Sequence, residues 1–197
     1  LGNGRKQDVL KAIAWVRKMR VRYNIRILNI SVGTTEQEKT LHDLLIEAVD
    51  EAWDDGLVVV TAAGNLGPGS GTVTAPGSSR KVITVGSSDL LTGMGGISGC
   101  GPTRDCVCKP DLVAPGKDII SCAPGISRRE YTKKSGTSMS TPQISGAIAL
   151  ALQKAPYLTN VQIKMLLRDS VRDLGLPHNR QGWGEFDLDK FLSNLYN

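Results

Sequence analysis

The fold is decided by residues 41–65, which read LHDLLIEAVDEAWDDGLVVVTAAGN. Six apolar residues in the first half fall at helical spacing and predict an amphipathic helix: Leu41, Leu44, Leu45, Ala48, Val49 and Ala52. Gly56 follows as the residue type that most readily takes the left-handed conformation after a helix. The apolar run Leu57–Ala63 then predicts a buried strand, and Gly64 and Asn65 come directly after it.

A second β-rich run, Ile25–Ser31, precedes this helix. Strand, helix and strand in succession predict two parallel strands with a right-handed crossover. Further strands are predicted at Lys81–Ser87, Asp111–Ala114 and Ile119–Ser121, and further helices at Asp8–Val21, from Ser138 through Leu152, and at Asn160–Arg172. The predicted class is α/β with a mainly parallel sheet, and sites in such sheets lie beyond the carboxyl ends of the strands.

Composition limits the class of protein. The 197 residues are enough for one globular domain, and 40% hydrophobic with 22% charged residues argues against a disordered chain. No apolar run approaches the roughly 18 residues that a membrane helix needs. The 22 glycines show no fixed period, which excludes a collagen-like chain and indicates many tight turns.

The charges fall into two opposed blocks. Residues 1–26 carry eight basic side chains and one acidic one, whereas residues 27–55 carry one basic and eight acidic ones. We interpret the blocks as neighbouring helices with complementary faces, packed on the same face of the sheet. A nucleic-acid patch at 17–22 is the weaker alternative, because no aromatic residue interleaves that run to stack on bases.

Four cysteines raise the question of a metal or a disulfide: Cys100, Cys106, Cys108 and Cys122. A zinc site would need a second matching pair of ligands, and none follows the Cys-x-Cys pair. A disulfide stays open as an alternative, but a chain of this size does not need one. We therefore favour free thiols and assign no metal site.

The string GTSMSTP at 136–142 carries the strongest chemical signal. Ser138 could simply cap the following helix, because its hydroxyl can accept a backbone N–H there. The same position also suits a nucleophile, since negative charge that develops on a reacting group meets the free N–H groups at the positive end of the helix dipole.

This string resembles the catalytic-serine motif of subtilisin-like serine proteases. Other segments resemble that family's motifs in the same order: Asn29–Gly33, Ala62–Asn65, Lys109–Gly116 and Gly182–Gly184. The resemblance covers nearly all of the chain. It implies a three-layer α/β fold, incomplete at the N-terminus, in which residues 1–197 form the C-terminal part of one catalytic domain.

The resemblance also implies roles for single residues. Ser138 matches the nucleophile, and Asn65 matches the side chain that donates to the oxyanion, beside the backbone N–H of Ser138. A turn residue in a glycine-rich loop is the alternative reading of Asn65. The residues that match the family's substrate-binding segments are Ser31, Gly33, Ala63, Gly64 and Thr74. The backbone of Ser31 and Gly33 would pair with the substrate as an added strand. The alternative is that these two residues have only the ordinary geometry of a strand end. Thr74 stands where many members carry glycine, so its side chain should narrow the pocket for the residue before the scissile bond.

No general base is evident. A serine hydroxyl is a weak nucleophile without one, and the two histidines, His42 and His178, are interpreted as a helix-surface residue and a loop residue. In subtilisins the aspartate and histidine precede the serine along the chain, and neither motif lies before Ser31. We therefore expect this chain alone to be inactive, with an open sheet edge that pairs with its own N-terminal fragment or with a second copy.

Two classes of function follow. The first is a serine endopeptidase that forms an acyl-enzyme on Ser138, with Asn65 in the oxyanion hole. The alternative is a non-catalytic relative that binds a peptide or a protein partner. The intact motifs at both residues favour the first, with polypeptide as substrate and neither nucleic acid nor membrane as partner. The chemistry needs no cofactor; calcium often stabilises this family, but no ligand set for it can be assigned.

Overall fold

The computed structural model describes residues 6–34, 39–93, 95–123 and 130–196. Within them the helices are α1 (Lys6–Met19), α2 (Lys39–Asp54), α3 (Thr137–Lys154), α4 (Asn160–Asp169), α5 (His178–Gln181) and α6 (Leu188–Ser193). The strands are β1 (Ile27–Ile30), β2 (Val58–Ala62), β3 (Ile83–Ser87), β4 (Leu112–Ala114), β5 (Ile119–Cys122), β6 (Tyr131–Lys134), β7 (Val171–Arg172) and β8 (Glu185–Phe186). Single 3-10 turns lie at Ser88–Leu90 and Asn194–Tyr196.

The main sheet is mostly parallel, as predicted. Its strand order is β1-β2-β3-β4-β8-β7, and only the β7–β8 pair is antiparallel. Register places Ile27 opposite Val58, Val60 opposite Ile83, and Val85 opposite Leu112. With helices flanking this sheet, the chain has the three-layer α/β architecture that the sequence indicated.

The core lies where the apolar runs predicted it. Every residue of β2 and β3 is buried, and α3 packs along β1, β2, β3 and β4. α3 carries Ile144, Ala147, Ile148 and Ala151 into this core. The carboxyl ends of β1 and β2 therefore sit beside the first turn of α3, which positions the candidate site.

The two charge blocks form contacting helices. Arg17 Nε lies 2.7 Å from Asp55 Oδ2, Arg17 also pairs with Glu51, and Arg20 Nη2 lies 3.2 Å from Asp55 Oδ1. This confirms the predicted packing of α1 against α2, although Glu36 and Glu38 of the acidic block lie outside the described residues. Each half-exposed pair contributes about 0–1 kcal/mol, so these pairs specify arrangement more than stability.

The second sheet contains a strand that the sequence pattern did not predict. β5 and β6 form an antiparallel pair, with Ile119 opposite Lys134 and Cys122 opposite Tyr131. β6 reads Tyr-Thr-Lys-Lys and is largely exposed, so it lacks the apolar periodicity that marks a buried strand. The helix predicted at Asn160–Arg172 ends at Asp169, and Val171–Arg172 form β7 instead, paired with β8; two-residue strands carry no period that could have shown this.

A buried charge cluster explains the Lys109–Asp111 segment. Lys109 Nζ donates to Asp111 Oδ2 at 2.6 Å and to the Val82 carbonyl at 2.9 Å, while its side chain is 1% exposed. Lys164 of α4 lies 3.3 Å from Asp111 Oδ1, and the Thr84 N–H donates to Asp111 Oδ2 at 2.7 Å. Burial lowers the pKa of Lys109 to about 8 despite the neighbouring carboxylate. The cluster ties β3, β4 and α4 together.

Among the described residues, no helix is long and apolar enough to cross a membrane.

Candidate functional site

Ser138 lies in the first turn of α3 and is half-buried. Its hydroxyl donates a hydrogen bond to the Ser31 carbonyl at 2.7 Å, directly after the end of β1. The structure thus brings together two residues 107 positions apart that the sequence assigned to one site. Gly136 precedes the helix and offers no side-chain cap; the Thr137 N–H donates to Asn65 Oδ1 and the Met139 N–H to the Gly136 carbonyl.

Asn65 follows β2 and is oriented by the residue next to the serine. Its Oδ1 accepts from the Thr137 N–H at 3.0 Å and from the Thr137 hydroxyl at 3.1 Å. The amide Nδ2 is therefore the free end of the side chain, and neither it nor the Ser138 N–H donates to another described residue. Both groups are hydrogen-bond donors without a partner among the described residues.

Thr137 was not singled out by sequence reasoning. It is buried, and its hydroxyl also accepts from the Gly64 N–H at 3.2 Å, so one side chain fixes both Asn65 and the backbone before it. The only feature of the sequence that pointed to Thr137 was its position in the Gly-Thr-Ser motif. A threonine next to a serine does not indicate which residue its hydroxyl will bind.

Gly136 shapes the site through its backbone. Its φ is +134°, a region that favours glycine, and a Cβ built there would lie 3.0 Å from Asn65 Nδ2. Any larger residue would therefore strain the turn and push on the donor amide.

The predicted substrate-binding residues gather around Thr74. Ser31 is half-buried and Gly33 is exposed, beyond the last β1 pairing at Ile30. A Cβ at either Gly33 or Gly64 would overlap Thr74 Oγ1, so Thr74 fills the space between the two segments. Thr74 is buried, and its hydroxyl finds no hydrogen-bond partner among the described residues.

The backbone of Ala63 and Gly64 is already engaged. The Ala63 carbonyl accepts from the Thr74 N–H at 3.0 Å, and the Gly64 carbonyl accepts from the Gly99 N–H at 2.8 Å. The backbone of Ala63 and Gly64 is therefore held in place by hydrogen bonds, whereas Ser31 and Gly33 lie in a more solvent-exposed segment.

An apolar cavity of about 100 Å³ borders the same segment. It is lined by Val9, Val32, Gly33, Thr34, Leu45, Ala75 and Pro76. Most of this lining is aliphatic.

Neither histidine forms a hydrogen bond with Ser138 in the described part of the chain. His42 Nε2 lies 3.4 Å from the Ser78 hydroxyl on the α2 side of the fold, and His178 begins α5. Within the described part of the chain, the Ser138 hydroxyl has the Ser31 carbonyl as its partner and no base.

Nothing in the described ranges resembles a metal site: no three His, Cys, Asp or Glu side chains are placed to hold an ion. The four cysteines are free thiols, as favoured from the sequence, with Cys100 buried and the others exposed. Burial raises the pKa of the Cys100 thiol, which makes it less reactive.

A sequence model described as "Subtilase family" matches residues 2–184 of the chain. The serine protease AprX of Bacillus subtilis (strain 168) is 38% identical over 196 residues, covering 85% of this chain and 43% of AprX. Subtilisin Savinase of Lederbergia lenta is 32% identical over 174 residues, covering 88% of this chain and 58% of Savinase. The chain thus spans about half the length of these relatives.

Solved structures show the same fold. The S41 psychrophilic protease superposes with a TM-score of 0.75 at 27% identity, covering 95% of this chain and 65% of that one. Sphericase gives a TM-score of 0.76 at 24% identity, covering 94% of this chain and 64% of its own. Both neighbours extend well beyond the part that aligns.

Proposed function

The chain belongs to the subtilase family of serine proteases, and from that premise we propose that it is the nucleophile-bearing part of a serine endopeptidase. The observation that carries the proposal is that Thr137, the residue next to Ser138, binds Asn65 Oδ1 through its N–H and its hydroxyl, which leaves the donor amide Nδ2 unengaged next to the serine in the described structure. An oxyanion needs such donors, whereas a merely structural serine does not.

The proposed reaction is acyl transfer in two steps. Ser138 Oγ forms a bond to the substrate carbonyl carbon while its proton passes to a base, and the carbonyl oxygen becomes an oxyanion held by Asn65 Nδ2 and the Ser138 N–H. The C–N bond then breaks, the amine leaves with that proton, and an ester on Ser138 remains. Water then attacks the ester carbonyl while the base takes one of its protons, the ester C–O bond breaks, and the base passes that proton to Ser138 Oγ, which releases the carboxylic acid and the free serine.

The base is proposed to come from polypeptide outside these 197 residues. Support comes from His42 and His178, neither of which contacts Ser138, and from relatives whose chains extend well beyond the matched part. Alone, this chain is expected to retain only the residual effect of the oxyanion donors.

An open face beside Ser138 would receive that polypeptide. β1 is an edge strand, and α3 carries no charged residue from Thr137 to Gln153. Apart from Lys154 in the last turn, the exposed side of this helix presents uncharged residues: Pro142, Gln143, Gly146, Ala149, Leu150 and Gln153. A helix that is apolar on nearly all sides is normally buried, and an open strand edge normally pairs. We therefore assign the face to the remainder of the protease chain.

Light scattering during size-exclusion chromatography tests this assignment. The isolated 197 residues should associate or aggregate, whereas the same chain with the remaining protease sequence should be monodisperse. Leu150→Glu should reduce self-association, while Leu188→Glu, on exposed α6, serves as the matched control. A soluble, cooperatively folded monomer of the isolated chain would contradict the assignment, and a defined dimer would favour a second copy as occupant.

Covalent capture tests the proposed activity. A fluorophosphonate probe should label the longer protease chain, and peptide mass spectrometry should place the adduct on Ser138. The isolated chain should label far more slowly, because no base withdraws the Ser138 proton. Peptide binding along residues 31–33 without any labelling of the longer chain would instead favour the non-catalytic relative. The apolar cavity beside Gly33 supports such binding.

Asn65→Ala should lower turnover of the longer chain by about 10²–10³-fold, the scale known for the equivalent donor in subtilisin. The substitution removes Nδ2 but leaves the Ser138 hydroxyl in place. Steady-state kinetics should show most of the loss in kcat, since the donor acts on charge that develops in the transition state. Asn194→Ala, at a distant half-exposed asparagine, is the control, and unchanged kcat in Asn65→Ala would remove Asn65 from the oxyanion role.

Thr74→Gly should shift the preference for the residue before the scissile bond toward larger side chains. Removing two carbons and a hydroxyl opens the space between Gly33 and Gly64, and a misfit of one methylene is worth about 10–200-fold in discrimination. Peptide-library profiling measures the shift. Thr74→Val keeps the volume and removes only the unpartnered hydroxyl, so its profile should match that of the wild type. A wild-type preference for Phe or Tyr before the scissile bond would contradict the proposal that Thr74 narrows this pocket.

A further inference from the structure

A line of polar side chains runs from the middle of α3 to the segment that holds the nucleophile. The Ser145 hydroxyl donates to Asn29 Oδ1 at 2.7 Å, and Asn29 Nδ2 donates to Ser31 Oγ at 2.9 Å. The Ser31 carbonyl in turn accepts the Ser138 hydroxyl at 2.7 Å. The four residues thus form a loop of contacts that begins and ends on one helix.

The periodicities of the two elements explain this closure. Ser138 and Ser145 are seven residues apart, two helical turns, and so lie on one face of α3. Asn29 and Ser31 are two residues apart, so their side chains lie on the same side of an extended chain. α3 crosses β1 with these two faces in contact.

Ser31 depends on this contact because it lies past the strand ladder. The last β1 pairing is Ile30 with Thr61, and the next backbone hydrogen bond of this segment is the Thr34 N–H to the Ala75 carbonyl at 3.1 Å. Between them, the Asn29 amide is the group that holds the Ser31 side chain in the described structure.

We propose that Asn29 and Ser145 are positioning residues, which fix Ser31 and through its carbonyl set the orientation of the Ser138 hydroxyl. The inference rests on the proposed endopeptidase function and deepens it. Ser145 orients the amide of Asn29, the amide holds Ser31, and the Ser31 carbonyl holds the Ser138 hydroxyl in place until its proton passes to the base. Neither positioning residue touches the reacting atoms.

Kinetics of the longer protease chain test the proposal. Asn29→Ala should lower kcat about tenfold, since small misplacements of a reacting group cost up to about 10²-fold, with a smaller rise in KM because Ser31 also belongs to the proposed peptide-binding segment. Ser145→Ala should lower kcat about threefold, because Asn29 loses one of its two anchors, and Ser145→Thr should restore it by returning the hydroxyl. The double alanine variant should be no slower than Asn29→Ala, since the two residues act in series.

The controls separate positioning from stability and from the proposed function. Ser193→Ala removes a hydroxyl that donates to the Lys190 carbonyl on α6 and should leave kcat and Tm unchanged. If Asn29→Ala does not fold, the comparison of Ser145→Ala with Ser145→Thr still tests the proposal. Wild-type kcat in both alanine variants, or a fall in Tm large enough to explain the kinetic loss, would overturn the inference. Hydrolysis that persists in Ser138→Ala would instead overturn the proposed function.

Discussion

Replacing Ser138 with alanine is expected to abolish peptide hydrolysis by the longer protease chain, with a loss of about 10⁶-fold, the scale known for the nucleophile of subtilisin. The change removes the oxygen that would form the acyl-enzyme. It leaves the Ser138 N–H and Asn65 in place, because Asn65 is held by Thr137 and not by the serine hydroxyl. Fluorophosphonate labelling should disappear together with hydrolysis.

Ser135→Ala is the matched control for this experiment. Ser135 lies three residues before the nucleophile, is exposed, and accepts the Asp118 N–H at 2.9 Å. Its loss should leave labelling and turnover unchanged. If Ser138→Ala still labels at the wild-type rate, the nucleophile is a different residue.

Asp111→Ala is expected to destabilise the fold by about 3–5 kcal/mol, the range for removing one partner of a buried ion pair. Lys109 is 1% exposed and Asp111 8%, so water cannot replace the carboxylate. The substitution leaves two lysines facing each other, Lys109 and Lys164, and also orphans the Thr84 N–H. Chemical denaturation, followed by circular dichroism at pH 7, measures the change in the free energy of unfolding.

Two further variants serve as controls for Asp111→Ala. Asp54→Ala breaks the exposed pair with Lys81 and should cost about 0–1 kcal/mol. Asp111→Asn keeps an acceptor for the Thr84 N–H and should fall between the two, because only the charge is lost. A cost for Asp111→Ala no larger than that of Asp54→Ala would mean that the cluster contributes little to stability.

The pH dependence of the cluster has a definite sign. The pKa of Lys109 is about 8 in the folded chain and near 10.5 when it is unfolded. Between these values the unfolded state binds more protons, so this group raises the free energy of unfolding as pH increases through that window. In Asp111→Ala the pKa of Lys109 should fall further, because the attraction that raises it is gone. The difference in the free energy of unfolding between the wild type and Asp111→Ala should therefore be larger at neutral pH than in alkaline buffer.

The parallel core was predictable from sequence because its strands are apolar without interruption. Leu57–Ala63 and the region 81–87 become β2 and β3 with only their boundaries shifted, since burial on both faces leaves a strong signal. β6, β7 and β8 were not predicted. Their residues are exposed or too few to show a period, and pairing with distant partners decides their conformation.

Some residues of the candidate site were also predictable from the sequence, and others were not. Ser138 and Asn65 could be named because they stand in motifs, and the structure brings both to the ends of neighbouring elements. Thr137, Asn29 and Ser145 could not be assigned roles, because each is a small polar residue whose role depends on a partner 72 or more positions away. Contacts of that kind are set by the crossing of α3 over β1 and β2, which no local pattern encodes.

The uncovered side of α3 makes the effect of a substitution depend on how much of the protease is present. A Cβ at Gly146 meets no atom within 4 Å, so Gly146→Ala in this chain should gain about 1 kcal/mol from helix propensity alone. Once another part of the protein packs against this helix, the same methyl group would occupy space that the glycine leaves for a close neighbour. Stabilising variants selected in the isolated segment would then tend to impair the assembled enzyme, and mutational tolerance measured in one context would mislead in the other.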